Sequence, residues 1–276
     1  MEELDFTRPA DDGASEAETV RRSFEAAAAR EKVTKGEYLF RENQASDRLY
    51  LLVDGEVGLV RGGKSLDIVK AGEMFGEIAA ITGQPRTASA VARADCEVWT
   101  LDPGQFQRAL QSRPEFALAL LKVMANRLRL AAAMLRVRSK LPDTARSQSG
   151  SFDRTVLEWL KGALPGHLPQ RSPAHSVIVR EGEIGNLMYV VLYGWVDVSI
   201  HGKVLERIGP GGVFGEMALV DQSPRAASAI AESEASLMAI SRSDFMSLVK
   251  AKPVFGIALL KAAAERLRYL TVGGPG

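Results

Sequence analysis

The sequence predicts a mainly β protein with flanking α-helices, built as two tandem antiparallel β-rolls of jelly-roll type. Three observations carry that prediction. One pattern of residues occurs twice at a constant spacing of 139 positions. Within each copy, short β-rich apolar runs alternate with turn residues. Each copy then closes on a stretch whose apolar residues recur at helical spacing. The 276 residues leave room for two domains of ordinary size, and a content of 46% hydrophobic and 25% charged residues suits buried cores.

The repeat is densest at Phe75-Gly76-Glu77-Ile78-Ala79 with Pro85-Arg86-Thr87-Ala88-Ser89-Ala90, and at Phe214-Gly215-Glu216-Met217-Ala218 with Pro224-Arg225-Ala226-Ala227-Ser228-Ala229. The same spacing pairs Arg41-Glu42 with Arg180-Glu181, Tyr50 with Tyr189, Gly55 with Gly194 and Phe106 with Phe245. It also pairs Pro114 with Pro253, Phe116 with Phe255, and Arg127-Leu128-Arg129 with Arg266-Leu267-Arg268. From about residue 36 to about 130 the copies align without a gap, with roughly a third of positions identical. The expected division is a disordered tail over 1–15, a first domain over 16–138, a linker over 139–152 and a second domain over 153–272.

Taken in order, the polar, acidic first fifteen residues read as a frayed tail. Glu16 to Arg30, with its alanine run, reads as a helix leading into copy one. Tyr38-Leu39-Phe40, Leu49 to Val53 and Val57 to Val60 read as strands separated by turns at Asp54-Gly55 and Gly62-Gly63. Ala90 to Ala92 and Cys96 to Leu101 supply later strands. The period then changes: Phe116, Leu120, Leu121, Met124, Leu128, Ala131 and Leu135 define a helix from about Pro114 to about Arg138, with Ser112 as its expected cap. Its apolar seam runs past what one domain needs, which predicts an interdomain contact or a homodimer through this helix. Arg138 to Ser151 is polar and Ser-rich, a linker. In copy two, Asp153 to Leu160 takes the place of the leading helix. Val177 to Val179, Met188 to Leu192 and Val196 to Ile200 are strands, and Phe255 to Leu270 is the closing helix.

Charge and composition exclude several classes. Lys plus Arg number 35 against 34 Asp plus Glu, a formal net charge of +1, which argues against a chain that lives on nucleic-acid charge. The single cysteine, Cys96, forms no internal disulfide and fits a reducing compartment. No secretory signal opens the chain and no apolar run approaches a membrane span, so the expected location is the cytoplasm. His167, His175 and His201 are scattered, so neither a histidine-built metal centre nor a cupin-type enzyme is expected. Gly58-Leu59-Val60-Arg61-Gly62-Gly63-Lys64-Ser65 satisfies the phosphate-loop pattern by letter. A strand-like segment comes after it rather than a helix, and copy two lacks the pattern, so it reads as a hairpin tip.

The doubled Phe-Gly-Glu-x-Ala segment, with an Arg nine residues after the Glu, has the chemistry a sugar phosphate asks for. A short helix just after Gly-Glu aims backbone N–H groups at an anion, here from Ile78-Ala79 and Met217-Ala218. Gly76 and Gly215 permit a tight turn and a close approach. Arg86 and Arg225 offer a bidentate fork to phosphate oxygens, and Glu77 and Glu216 are strong acceptors for a ribose hydroxyl.

These residues resemble the phosphate-binding cassette of cyclic nucleotide-binding domains, as found in catabolite activator proteins, cyclic-nucleotide-gated channels and protein kinase regulatory subunits. The resemblance extends to Arg41-Glu42, Tyr50 and Gly55 and their counterparts in copy two. It implies a ribose 2′-OH on Glu77 and Glu216, a cyclic phosphate on Arg86 and Arg225, and no cofactor beyond the ligand, cAMP or cGMP. Site one would comprise Phe75, Gly76, Glu77, Ile78, Ala79, Pro85, Arg86, Thr87 and Ala88. Site two would comprise Phe214, Gly215, Glu216, Met217, Ala218, Pro224, Arg225, Ala226, Ala227 and Tyr269. Thr87, against Ala226, points to cGMP as well as cAMP at site one. Asn43-Gln44 and Ala80 depart from the family's usual residues. The closing helices are expected as lids over the purine, through Leu130, Ala131 and Met134, and through Leu267, Tyr269 and Leu270.

The six residues after Leu270 are too few for a winged-helix DNA reader, and Phe24 in Arg21-Arg22-Ser23-Phe24 spoils a kinase-inhibitor sequence. The expectation is a non-enzymatic, stand-alone sensor that signals to a partner protein by changing conformation, without DNA or membrane. The alternative is a pair of ligand-free interaction modules.

Overall fold

The computed structural model describes residues 12–25, 28–137, 146–148, 152–164, 166–221 and 223–272. The chain enters through α1 (Asp12–Glu25), which starts earlier and stops sooner than the alanine run suggests. Ala29 and Arg30 instead open strand β1 (Ala29–Val33), paired antiparallel with β8 (Cys96–Leu101) so that Ala29 faces Thr100. The ladder satisfies the backbone there, and sheet pairing overrides alanine's modest helix propensity. Between them run β2 (Tyr38–Phe40), β3 (Leu49–Asp54), β4 (Glu56–Arg61), β5 (Lys64–Lys70), β6 (Met74–Phe75), helix α2 (Glu77–Thr82) and β7 (Ser89–Ala92).

These strands make two antiparallel sheets, in the orders β1-β8-β3-β6 and β2-β7-β4-β5. Phe40, Tyr50, Leu52, Val57, Phe75 and Val98 fill the space between them. The Phe75 ring stacks on both Phe40 and Tyr50, with Tyr50 and Phe75 centroids 5.1 Å apart, and Phe40 and Tyr50 meet tilted. The phosphate-loop look-alike is the β4–β5 hairpin, with Gly62 and Gly63 at its tip.

Two helices follow the first roll, where one was expected. α3 (Pro103–Ser112) is opened by a capping box between Asp102 and Gln105 with Pro103 in the first turn, a signal that is local and legible in the sequence. Ser112 therefore ends α3, its hydroxyl donating back to the Arg108 carbonyl, and does not cap α4 (Glu115–Val137). In the expected linker, Arg146–Gln148 forms strand β9, and Phe152 is buried with its ring stacked 4.8 Å from Phe255. Phe152 therefore belongs to the second unit's core.

Copy two repeats the design. α5 (Arg154–Ala163), capped by Asp153, leads into β10 (Gln170–Ser172), β11 (Val177–Val179), β12 (Met188–Tyr193), β13 (Val196–Ile200) and β14 (Lys203–Ile208). Then come β15 (Val213–Phe214), a 3-10 turn (Glu216–Leu219), β16 (Ser228–Ala231), β17 (Ala235–Ile240), α6 (Arg242–Ala251) and α7 (Pro253–Val272). The sheets run β10-β17-β12-β15 and β11-β16-β13-β14, the second extended by β9 lying parallel to β14.

The helices of the two copies share one apolar cluster. Ala117, Leu121 and Met124 of α4 belong to it together with Leu259, Leu260 and Ala263 of α7. Gly256 of α7 lies against Ala117 of α4, where a Cβ would make ordinary contact at 3.7 Å, and close against Val249, where a Cβ would come within 3.0 Å. Over its described side chains the α4 seam is covered by α7 of the same chain, the interdomain contact expected for it; the side chains from Ala131 to Leu135, on which the homodimer was also expected, lie outside the described residues. On the other side of α4, Phe24 of α1 is fully buried, edge-on to Phe116 at 6.0 Å. Arg21 and Arg22 pair with Glu25 and Glu18 on the same helix.

Candidate functional site

Each predicted cassette is a turn between a short strand and a short helix. Gly76 and Gly215 sit at φ 75° and 74°, the left-handed region where a side chain is strained. A Cβ on Gly76 would also lie 2.6 Å from Arg86 Nη1. The cassettes then differ. Copy one continues as α2, whereas copy two makes a tighter 3-10 turn. The N–H of Ala218 donates to the Gly215 carbonyl at 3.1 Å. That amide, predicted as an anion donor, is engaged by the turn.

Arg86 is 2% exposed. Its Nη1 donates to the Gly76 carbonyl at 2.7 Å, and its Nη2 donates to Ser46 Oγ at 2.6 Å and to the Arg48 carbonyl at 2.7 Å. The Phe40 ring lies 4.1 Å from the guanidinium carbon. Its Nε is buried without a hydrogen-bond partner. In copy two, Arg225 is half-buried; Nη1 donates to the Gly215 carbonyl at 3.0 Å and Nη2 to the Leu187 carbonyl at 2.7 Å. Burial lowers the pKa of both groups, against the smaller opposing pull of Tyr50 and Glu77 on one and Tyr189 and Glu216 on the other. Among the described residues neither arginine forms an ion pair with a carboxylate.

The glutamates are held elsewhere. Glu77, 1% exposed, accepts a short hydrogen bond from Arg127 of α4. Glu216, equally buried, accepts one from Arg266 of α7, which also donates to Glu206 at 2.7 Å and to the Val213 carbonyl at 2.9 Å. Burial pulls both cations' pKa values down, but the carboxylates outweigh it, so both rise. Sequence reasoning used Arg127 and Arg266 only as markers of the repeat. A charged residue kept at the same repeat position on each closing helix, next to its apolar face, was the signal for this role.

The second arginine of each Arg-Leu-Arg reaches the other copy. Arg129 makes two hydrogen bonds of 2.8 Å to the Asp221 carboxylate, just past the cassette turn of copy two. Arg268 donates to the Pro85 carbonyl of copy one at 3.4 Å. Burial raises the Asp221 pKa, but hydrogen bonds from Arg129 and Ser223 outweigh it and hold the carboxyl below its ordinary value. Each closing helix therefore touches both cassettes.

The other predicted residues are distributed along these turns. Phe75, Ala79, Ala88 and Phe214 are buried core. Ile78, Thr87, Met217, Ala218, Ala226 and Ala227 are half-buried, and Pro85 and Pro224 are exposed. Tyr269 is half-buried on α7, which packs against α2 of copy one. Of the predicted lid residues, Leu130 is exposed and Leu267 lies in the core; the side chains of Ala131, Met134 and Leu270 lie outside the described residues. Asn43 adopts φ 63° where copy two has Gly182 at 84°. Among the described residues no group of three His, Cys, Asp or Glu is placed to hold a metal, and no helix is long and apolar enough to cross a membrane.

The family described as cyclic nucleotide-binding domain matches residues 30–113 and again residues 169–252, one match on each roll. The chain belongs to the cyclic nucleotide-binding domain family. A cAMP-dependent protein kinase regulatory subunit of Eremothecium gossypii is 27% identical over 218 residues, covering 79% of this chain and 43% of the relative. The corresponding subunit of Yarrowia lipolytica is 27% identical over 79% of this chain and 53% of its own length. The chain thus spans about half the length of the curated relatives it matches. A cyclic nucleotide-gated potassium channel of Rhizobium etli is 37% identical over 107 residues, 39% of this chain and 28% of the channel. Among solved structures, the regulatory domain of Toxoplasma gondii PKA with cAMP covers 93% of this chain and 99% of its own, at 22% identity and a TM-score of 0.33.

Proposed function

We propose that the chain is a cyclic nucleotide sensor that binds one nucleotide in each roll and passes its occupancy to a partner protein, without catalysis of its own. The observation that carries this reading is the state of the cassette arginines. Arg86 is a fully buried cation, bonded only to neutral oxygens, with an unpartnered Nε. A buried charge without a counter-charge is costly. A cyclic phosphodiester brings one negative charge and the acceptor oxygens to match it.

In this reading the phosphate lies against Arg86 or Arg225 and the ribose 2′-OH donates to Glu77 or Glu216. Those carboxylates already accept from Arg127 and Arg266, so a ribose hydroxyl competes for the group that fastens the closing helix. Arg129 and Arg268 extend the effect to the opposite copy. Nucleotide shifts this equilibrium by its difference in affinity between the two arrangements. The leading ligand at both sites is cAMP; Thr87 adds a hydroxyl next to Arg86 that lets site one accept cGMP as well, and Ala226 adds none at site two. We place the chain in the cytoplasm, a reading that the single buried thiol, Cys96, supports.

The test is a calorimetric titration of nucleotide-stripped protein with cAMP and with cGMP, recording stoichiometry. Saturable binding of two per chain is expected. Absence of heat with both, together with an unmoved melting temperature, would leave two folded modules without ligand.

A further inference from the structure

The two cassette arginines keep the same pair of backbone bonds. Nη1 donates to Gly76 in one copy and Gly215 in the other; Nη2 donates to the carbonyls of Arg48 and Leu187, which are repeat equivalents. The copies part at one repeat position. Ser46 stands in copy one where Gly185 stands in copy two. Ser46 Oγ accepts from Arg86 Nη2 at 2.6 Å. Gly185 has no such group, and a Cβ there would lie 2.5 Å from Arg225 Nη2 and 2.8 Å from its Nε. Both residues therefore border the same Nε–Nη2 edge of the guanidinium.

That edge carries one of the parallel N–H pairs with which arginine grips a phosphate. In copy one, both Nη2 hydrogens are taken, one by a carbonyl and one by the Ser46 hydroxyl, and Nε alone is left over. In copy two, among the described residues, no protein acceptor takes the second Nη2 hydrogen or the Nε hydrogen of Arg225. A second difference acts in the same direction. Phe40 lays its ring 4.1 Å from the Arg86 guanidinium, and its equivalent in copy two is Val179.

We infer that Ser46 is a positioning residue that closes the phosphate fork of Arg86, so that site one binds cyclic nucleotide more weakly than site two. The inference rests on the nucleotide-binding reading above and adds to it the residue that makes the two sites unequal. Phosphate reaches site one by displacing the Ser46 hydroxyl from Nη2, whereas it meets an open edge at site two. Gly185 is then the residue of an open fork, and Ser46 that of a fork closed at Nη2 with Nε still unpartnered.

The experiment separates the sites by weakening the other: site one is read in an Arg225→Ala background and site two in an Arg86→Ala background, both titrated with cAMP. Site two is expected to bind more tightly. Ser46→Ala, which removes only the hydroxyl, is expected to tighten site one about five- to twenty-fold. Ser46→Thr, which restores a hydroxyl, is expected to stay within about twofold of the parent, a rescue that a loss of packing alone would not show. Weaker binding by Ser46→Ala would mean that the hydroxyl is itself a ligand, and unchanged binding that it does not control the arginine; either overturns the inference. Nitrogen-15 spectra of the arginine side chains, recorded without nucleotide, supply an independent readout. The Arg86 Nη groups are expected to rotate more slowly than those of Arg225, and faster once Ser46 is Ala. Absence of any cAMP binding would defeat the nucleotide reading and the ranking of sites together. In that event a slowed, Ser46-dependent Arg86 would still uphold the positioning role, and a freely rotating Arg86 would remove it.

Discussion

The bridge from Arg129 to Asp221 is the sharpest test of whether the two rolls act as one body. It joins α4 of copy one to the cassette of copy two through two parallel hydrogen bonds of 2.8 Å. The two side chains are 25% and 30% exposed, so water screens them only in part. At about 4 Å between charge centres and an effective dielectric of about 20, the gross attraction is about 4 kcal/mol. Desolvation and side-chain ordering offset much of it, leaving a net coupling of about 1–2 kcal/mol, above the 0.2–1 kcal/mol or so of exposed pairs. A double-mutant cycle of Arg129→Met and Asp221→Asn, read by urea unfolding, measures that coupling. The pH dependence provides a second signature. The folded-state pKa of Asp221 lies below its unfolded value, so the unfolded chain binds more protons at acid pH. The bridge's contribution is then fully present above the unfolded carboxyl pKa of about 4 and fades as pH falls through the folded value. The gap between wild type and Asp221→Asn should narrow accordingly below about pH 4. A coupling energy under about 0.3 kcal/mol, or a gap that ignores pH, would refute the reasoning.

Three further outcomes are expected. Arg225→Ala should weaken cAMP binding at site two by about 1.5–3 kcal/mol, the value of a charged hydrogen bond, as read by titration. Gly76→Ala combines a left-handed φ of 75° with a Cβ 2.6 Å from Arg86 Nη1, so it should abolish binding at site one, spare site two, and lower stability by about 1–2 kcal/mol in thermal unfolding. Arg127→Met strands the buried Glu77 carboxylate and should cost about 2–4 kcal/mol in urea unfolding; Arg266→Met, which removes the bridges to both Glu206 and Glu216, should cost more.

Much of the fold was legible because it is written at short range. Strands at Leu49 to Val53 and Cys96 to Leu101, and the apolar period from Phe116 onward, are patterns of neighbouring residues. So is the second copy, since a repeat displays itself at constant spacing. Where local reading failed, a stronger local or tertiary term had intervened. The Asp102–Gln105 capping box starts a helix that Ser112 ends, and pairing with β8 draws Ala29 and Arg30 out of the alanine run.

By itself the sequence determined that there are two rolls and that each carries a glycine turn, an acid and an arginine in register. Only the tertiary structure decided what those groups touch. Glu77 turns to Arg127 across 50 residues, and Arg129 finds Asp221 across 92, while Arg268 reaches the Pro85 carbonyl across 183. The last two partners depend on how α4 and α7 lie against each other, and that is set by the total burial of apolar surface along both helices. No local pattern encodes it. The residues at 46 and 185 illustrate the same division: the sequence shows Ser in one copy and Gly in the other, and only the placement of the guanidinium gives that difference a consequence.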